Sequence, residues 1–93
     1  MAIEIMLIGY KISASYAYKI RTLVGTGKNE FLLKARGKSI FTLVNTAEIA
    51  KRLLTEDGYN ISTRITIGTD SFEREGKTIN VSSMEIYLKA DKQ

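Results

Sequence analysis

The run Lys34-Ala35-Arg36-Gly37-Lys38-Ser39-Ile40 crowds three cations around a glycine, where a strand-like stretch gives way to a helix-like one. A helix start leaves backbone N–H groups without intrahelical partners, and its dipole favours negative charge. Lysine and arginine at such a turn suit it to holding a phosphate. Ser39 stands where a helix N-cap belongs. Gly37 lets the backbone turn and come close to an anion. Lys11 supplies a cation in an earlier strand-to-helix connection, and Arg74 and Lys77 supply two more late in the chain. Tyr10, Tyr16 and Tyr18 lie beside Lys11 and Lys19. A ring in such a place either stacks on a base or packs while its hydroxyl stays wet.

Other chemistry is poorly supplied. The 93 residues include no Cys and no His, which removes disulfides, thiol chemistry, the commonest general base and the commonest transition-metal ligand. Glu56 and Asp57 end a helix, Glu73 and Glu75 are solvated charges of a turn, and Glu48 is placed to pair with Arg52 one helical turn on. No two carboxylates are set for acid–base work. An enzyme, a metal site, a cofactor and a small-molecule substrate are therefore not expected. The Asn60-Ile61-Ser62 and Asn80-Val81-Ser82 sequons are chance matches beside a start that lacks a secretory signal.

The elements that must position these residues are short and regular. With 44% hydrophobic and 26% charged residues, the chain reads as one globular domain over residues 1–93. Its net charge of +4 and pI near 9.4 permit a polyanionic partner. The first ten residues carry no basic region, and their apolar run is too short to span a bilayer. A cytoplasmic protein with no membrane partner is expected.

Ile3 to Gly9 is apolar on both faces, which predicts a central strand. Ala17, Ile20, Leu23 and Val24 recur at helical spacing after a cap at Ser13 or Ser15, and Gly25-Thr26-Gly27 stops that helix. Asn29 to Lys34 is a second strand. Ser39 to Leu54 is the longest helix, with a core stripe of Ile40, Leu43, Val44, Ala47, Ala50 and Leu54. Phe41, Asn45, Ile49 and Leu53 form a second strip on that helix, either a wide core face or a subunit interface.

Ile61, Thr63, Ile65 and Ile67 alternate with polar residues, as do Met84, Ile86 and Leu88. The strands they predict are too long to pair entirely within the sheet, and the excess, Thr69 to Asn80, is mostly polar. A hairpin tipped by Arg74 and Lys77 should therefore project from the body. The whole predicts an α+β fold of order β-α-β-α-β-β, with two helices on one face of a four-stranded mixed sheet. Both strand-to-helix connections then open at one end of the sheet, which joins Lys11 to the Lys34–Lys38 turn as a surface for tracking a nucleic-acid backbone.

The residues Leu7-Ile8-Gly9-Tyr10-Lys11, the run Leu33 to Ile40, Val44-Asn45-Thr46-Ala47-Glu48-Ile49, Ile65-Thr66-Ile67-Gly68 and Val81 to Ile86 resemble the Alba family of archaeal chromatin proteins. The match runs in order through nearly the whole chain, and the lysine-alanine-arginine-glycine turn is its most specific part. The resemblance implies a fold like the C-terminal domain of a bacterial translation initiation factor. It also implies a dimer that coats and compacts double-stranded DNA irrespective of sequence and can bind RNA. By position, backbone contacts fall to Lys11, Arg36 and Lys38, and minor-groove contacts to hairpin arms carrying Arg74 and Lys77; Tyr16 matches a family tyrosine.

Two departures stand out. Where the family has a lysine pair followed by proline, this chain has Tyr10-Lys11-Ile12. This chain has leucines, Leu53 and Leu54, near where many members have an aromatic that joins dimers side by side. A divergent paralogue is implied, forming a homodimer or a heterodimer with a more typical member and associated with the chromosome. An RNA-binding or ribonucleoprotein component using the same surface is the alternative, and a scaffold working through the Phe41–Ile49 strip is a third reading.

Overall fold

The computed structural model describes residues 2–93. Its elements are β1 (Glu4–Leu7), α1 (Ser13–Gly25), β2 (Glu30–Arg36), α2 (Ser39–Glu56), β3 (Tyr59–Arg74) and β4 (Lys77–Lys92). The sheet order is β1-β2-β4-β3, with β1 parallel to β2 and the other two pairings antiparallel. This is the expected mixed sheet.

Strand alternation decides which side carries the core. Phe31, Leu33 and Ala35 of β2 and Ile86, Leu88 and Ala90 of β4 are buried on one side, joined by Met6 and Ile8. They meet Ala17, Ile20 and Val24 of α1 and Leu43, Ala47, Ala50 and Leu54 of α2. Each of the large side chains contributes about 1.5–3 kcal/mol when fully buried. Arg21 of α1 donates two hydrogen bonds of 2.8 Å to the Asp57 carboxylate at the C-cap of α2, tying the helices together at one end. Those hydrogen bonds hold the Asp57 carboxyl below its ordinary range.

The structure overturns the placement of β1. It is an edge strand, paired among the described residues with β2 alone. The apolar residues on both faces do not mean burial on both faces: Met6 and Ile8 enter the core, whereas Ile3, Ile5 and Leu7 lie exposed, Leu7 at 73%. Among the described residues, no helix covers the side of the sheet that Ile5 and Leu7 share.

The serine caps are also displaced. Ile12 is the N-cap of α1, and Lys38, already helical in backbone, is the N-cap of α2; neither makes a side-chain cap. Ser13 instead donates its hydroxyl to the Thr42 carbonyl at 3.3 Å, fastening the start of α1 to α2.

β2 accompanies β4 only from Glu30↔Lys89 to Arg36↔Ser83, while β3 and β4 pair on to Arg74↔Lys77. Beyond Ser83 the hairpin is two strands alone, an arm of roughly 20 Å at the usual rise of a strand. It stretches the molecule to 51 × 26 × 18 Å. Glu75 (φ 53°) and Gly76 (φ 76°) form its tip. Two successive positive φ values mark the tight turn that suits the right-handed twist of paired strands. One face of the arm is stitched by the Ser71–Asn80 and Thr78–Glu73 side-chain hydrogen bonds, at 2.6 and 2.9 Å.

Candidate nucleic-acid interface

β1 and β2 run parallel, and the Ile8 amide donates to the Lys34 carbonyl at 2.8 Å, carrying the pairing one residue past β1. The β1–α1 loop and the β2–α2 turn therefore leave the sheet side by side. β3 runs in the direction of β2, since both are antiparallel to β4. The arm consequently projects from that same end.

In the first loop, the Tyr16 hydroxyl accepts from the Gly9 amide at 2.8 Å and from the Lys11 amide at 3.4 Å. The ring itself is half-buried against the core. Tyr16 thus packs and braces the loop from beneath, leaving Lys11 exposed above it. Tyr10 is 100% exposed.

In the turn, Gly37 has φ +58° and donates its amide to the Ser82 carbonyl at 2.8 Å. A Cβ on Gly37 would lie 3.3 Å from Val81 Cγ1. The close approach that demands glycine is made to the base of the arm, which is a different reason from approach to an anion. Gly37→Ala should lower stability by about 1–2 kcal/mol, the cost of the left-handed conformation for an L side chain, with the crowding at Val81 added. A denaturant midpoint equal to the parent's would contradict this role.

Arg36 and Lys34 sit on the helix-free side of β2, where their partners come from β3 and β4. The Arg36 guanidinium lies 5.6 Å over the Phe72 ring centroid and 4.0 Å from the Asp70 carboxylate. Lys34 Nζ lies 3.4 Å from the Glu85 carboxylate. Both pairs are well solvated, so they add little stability. Lys38 is exposed at the start of α2, and Arg74 and Lys77 oppose one another at the exposed tip of the arm. Lys11, Arg36 and Lys38 thus share one end of the body, with the hairpin cations farther out along the arm.

Three partners were not evident in the sequence: Asp70, Phe72 and Glu85. Phe72 pairs directly across from Ile79, and these two with Val81 form a half-buried apolar strip along one face of an otherwise polar arm. The alternation of Ile79 and Val81 with Thr78 and Asn80 was the available signal. Arg36 and Gly37 rest on this strip, which fixes the arm against the turn.

The second strip on α2 is divided. Phe41 is 75% exposed and Asn45 half-buried, but Ile49 and Leu53 pack against the core. Leu54 is 0% exposed, and this corrects its assignment to an interface. It continues the stripe of Leu43, Ala47 and Ala50 at helical spacing, so no side chain is left to offer a partner. Val44, expected in the core, is instead exposed. Ile65 and Ile67, on the helix-bearing side of β3, are exposed as well, Ile67 at 73%. They lie beyond the cover of the two helices.

No family model matches the chain. It is 38% identical over 88 residues to the DNA/RNA-binding protein Alba of Methanocella arvoryzae, covering 92% of this chain and 88% of that protein. It is 33% identical over 89 residues to the DNA/RNA-binding protein Alba 1 of Archaeoglobus fulgidus, covering 95% and 97%. Among solved structures, Alba from Thermoplasma volcanium superposes with a TM-score of 0.79 at 31% identity, covering 92% of this chain and 99% of that one. ALBA1 from Trypanosoma brucei shares the fold, with a TM-score of 0.65 at 17% identity. Identity above 30% across nine-tenths of the chain, with the same order of strands and helices, makes this protein a member of the Alba family.

Proposed function

We propose that the chain is a nucleic-acid-binding architectural protein that coats and compacts double-stranded DNA as a dimer without regard to sequence. The observation that carries this reading is the common direction of the two basic loops and the arm. Lys11, Arg36 and Lys38 open at one end of the sheet, and Arg74 and Lys77 extend the positive surface along the hairpin. A long, exposed, cationic surface follows a phosphate backbone, whereas a small-molecule site is concave and largely apolar. The relatives' names, DNA/RNA-binding protein Alba, support the class of ligand. On duplex DNA the turn cations contact phosphates and the arm senses groove shape, so base identity matters little. Such a protein would work in the cytoplasm on the chromosome.

A second copy, or a paralogue, fits on the uncovered surface of Phe41, Val44, Ile65 and Ile67. Two-fold pairing there buries the same patch on both chains and gives the particle two arms.

Titration of random duplexes at rising salt tests the reading. Affinity should be indifferent to sequence and should fall by about 0.9 logarithmic units per phosphate contact for each tenfold rise in salt. Salt-independent binding, or a demand for one sequence, would sink it.

Asp70 has a part in this scheme. Its carboxylate faces the Arg36 guanidinium, so a phosphate must compete with it. Asp70→Asn should strengthen duplex binding about two- to fivefold, the range of an exposed ion pair, without changing the salt slope. Weaker binding in the same titration would show that Asp70 orients Arg36 rather than masking it. RNA on the same surface is the second reading, and the fully exposed ring of Tyr10 is what favours it.

A further inference from the structure

We propose that Tyr10 is a stacking site for an unpaired nucleobase, so that the β1–α1 loop favours single-stranded nucleic acid over a perfect duplex. This rests on the reading that this end of the molecule binds nucleic acid, and it adds a contact that recognises the state of the strand.

The geometry points to a presented ring. Tyr10 is 100% exposed, so its ring does not pack on the body, and the neighbouring Ile12 is 72% exposed. The backbone under them is nevertheless fixed. The Gly9 and Lys11 amides donate to the Tyr16 hydroxyl, and the Ser15 amide donates to the Ile12 carbonyl at 3.0 Å. An aromatic side chain on a braced loop loses little conformational freedom on binding, since only two χ angles remain to be ordered.

Lys11 follows Tyr10 directly, and both are exposed. One side chain can take a phosphate while its neighbour takes the adjoining base, the pairing of cation and ring that single-strand sites use. In an intact duplex both faces of every internal base are already stacked, and the ring gains nothing without prying a step apart. In an unpaired loop or strand a base face is free, and stacking there is tolerant of sequence because every base has one.

The test uses the full chain with a short oligouridylate and a random duplex of equal length at the same salt. Tyr10→Ala should lower the ratio of single-strand to duplex affinity about tenfold, while Tyr10→Phe, which keeps the ring, should retain it. Because Tyr10 has no packing partner, the substitutions should leave the melting temperature where it was. The salt slope should also stay, since no charge is removed. The chain has no tryptophan, so Tyr10→Trp places a lone reporter at the site. Its fluorescence should be quenched strongly by oligouridylate and weakly by duplex.

Equal quenching by duplex would overturn the proposal in favour of a wedge between paired steps. So would an unchanged affinity ratio in Tyr10→Ala. If the parent chain binds neither probe, the underlying nucleic-acid reading fails; if it binds both and the ratio holds, only the stacking site fails.

Discussion

Replacing Arg36 and Lys38 together with alanine should lower duplex affinity about a hundredfold at moderate salt and reduce the salt slope by about 1.8. The second figure is two lost phosphate contacts at about 0.9 each. The first follows from charge-assisted hydrogen bonds worth about 1.5–3 kcal/mol apiece, roughly tenfold or more in affinity for each. Arg36 contributes more than its own charge, because its removal leaves Asp70 facing the incoming phosphate without a cation between them. The fold should survive: both side chains are exposed, and the Arg36–Asp70 separation of 4.0 Å marks a weak, solvated pair. The measurement is a titration at several salt concentrations, paired with a thermal melt. An unchanged slope in a folded variant would remove the β2–α2 turn from the interface.

The difference between what was legible in the sequence and what was not lies in covalent periodicity against tertiary cover. Alternation in Ile86 and Leu88, and three- and four-residue spacing in Ala17, Ile20 and Val24, state which side of an element is apolar, and those faces are buried. Periodicity is silent on whether another element lies over that side. Ile5, Leu7, Ile65 and Ile67 are apolar and regularly spaced like the core residues, yet they belong to the two outer strands and stay exposed. The same limit explains Leu54, which sits on the core stripe whatever surface its neighbours offer.

The site divides along similar lines. Cations beside a glycine and a helix start are local, and the β-α-β order puts the two loops together. The contacts that set the turn's geometry are not local: Gly37 with Ser82 and Val81, and Arg36 with Asp70 and Phe72, join residues more than thirty positions apart. They depend on the register of β2 against β4, which hydrophobic pattern narrows to a face without fixing the pair. Conformational demand was visible at Gly37; its cause, the base of the arm, was not.

The largest effect of all is expected from a residue outside the proposed phosphate contacts. Phe41→Asp should convert a dimer to a monomer and weaken duplex binding by about a hundredfold or more. In the lone chain Phe41 is 75% exposed, so its replacement removes little from the stability of the fold. In a two-fold dimer the same ring is buried twice, each copy worth about 1.5–3 kcal/mol, and the substitution also sets two carboxylates inside an apolar contact with Val44, Ile65 and Ile67. Linking two binding units makes the second engagement intramolecular, with gains of about 10²–10⁴ over either alone. Splitting the dimer forfeits that gain while Arg36 and Lys38 both remain, with the new carboxylate one helical turn from Lys38. The salt slope per bound chain should therefore fall by less than the about 1.8 of the Arg36 and Lys38 pair even as affinity drops as far, which separates the two variants. Light scattering reads the first half of the prediction and the titration reads the second. A parent chain that is monomeric at binding concentrations, or a Phe41→Asp protein that still pairs, would place the partner surface elsewhere.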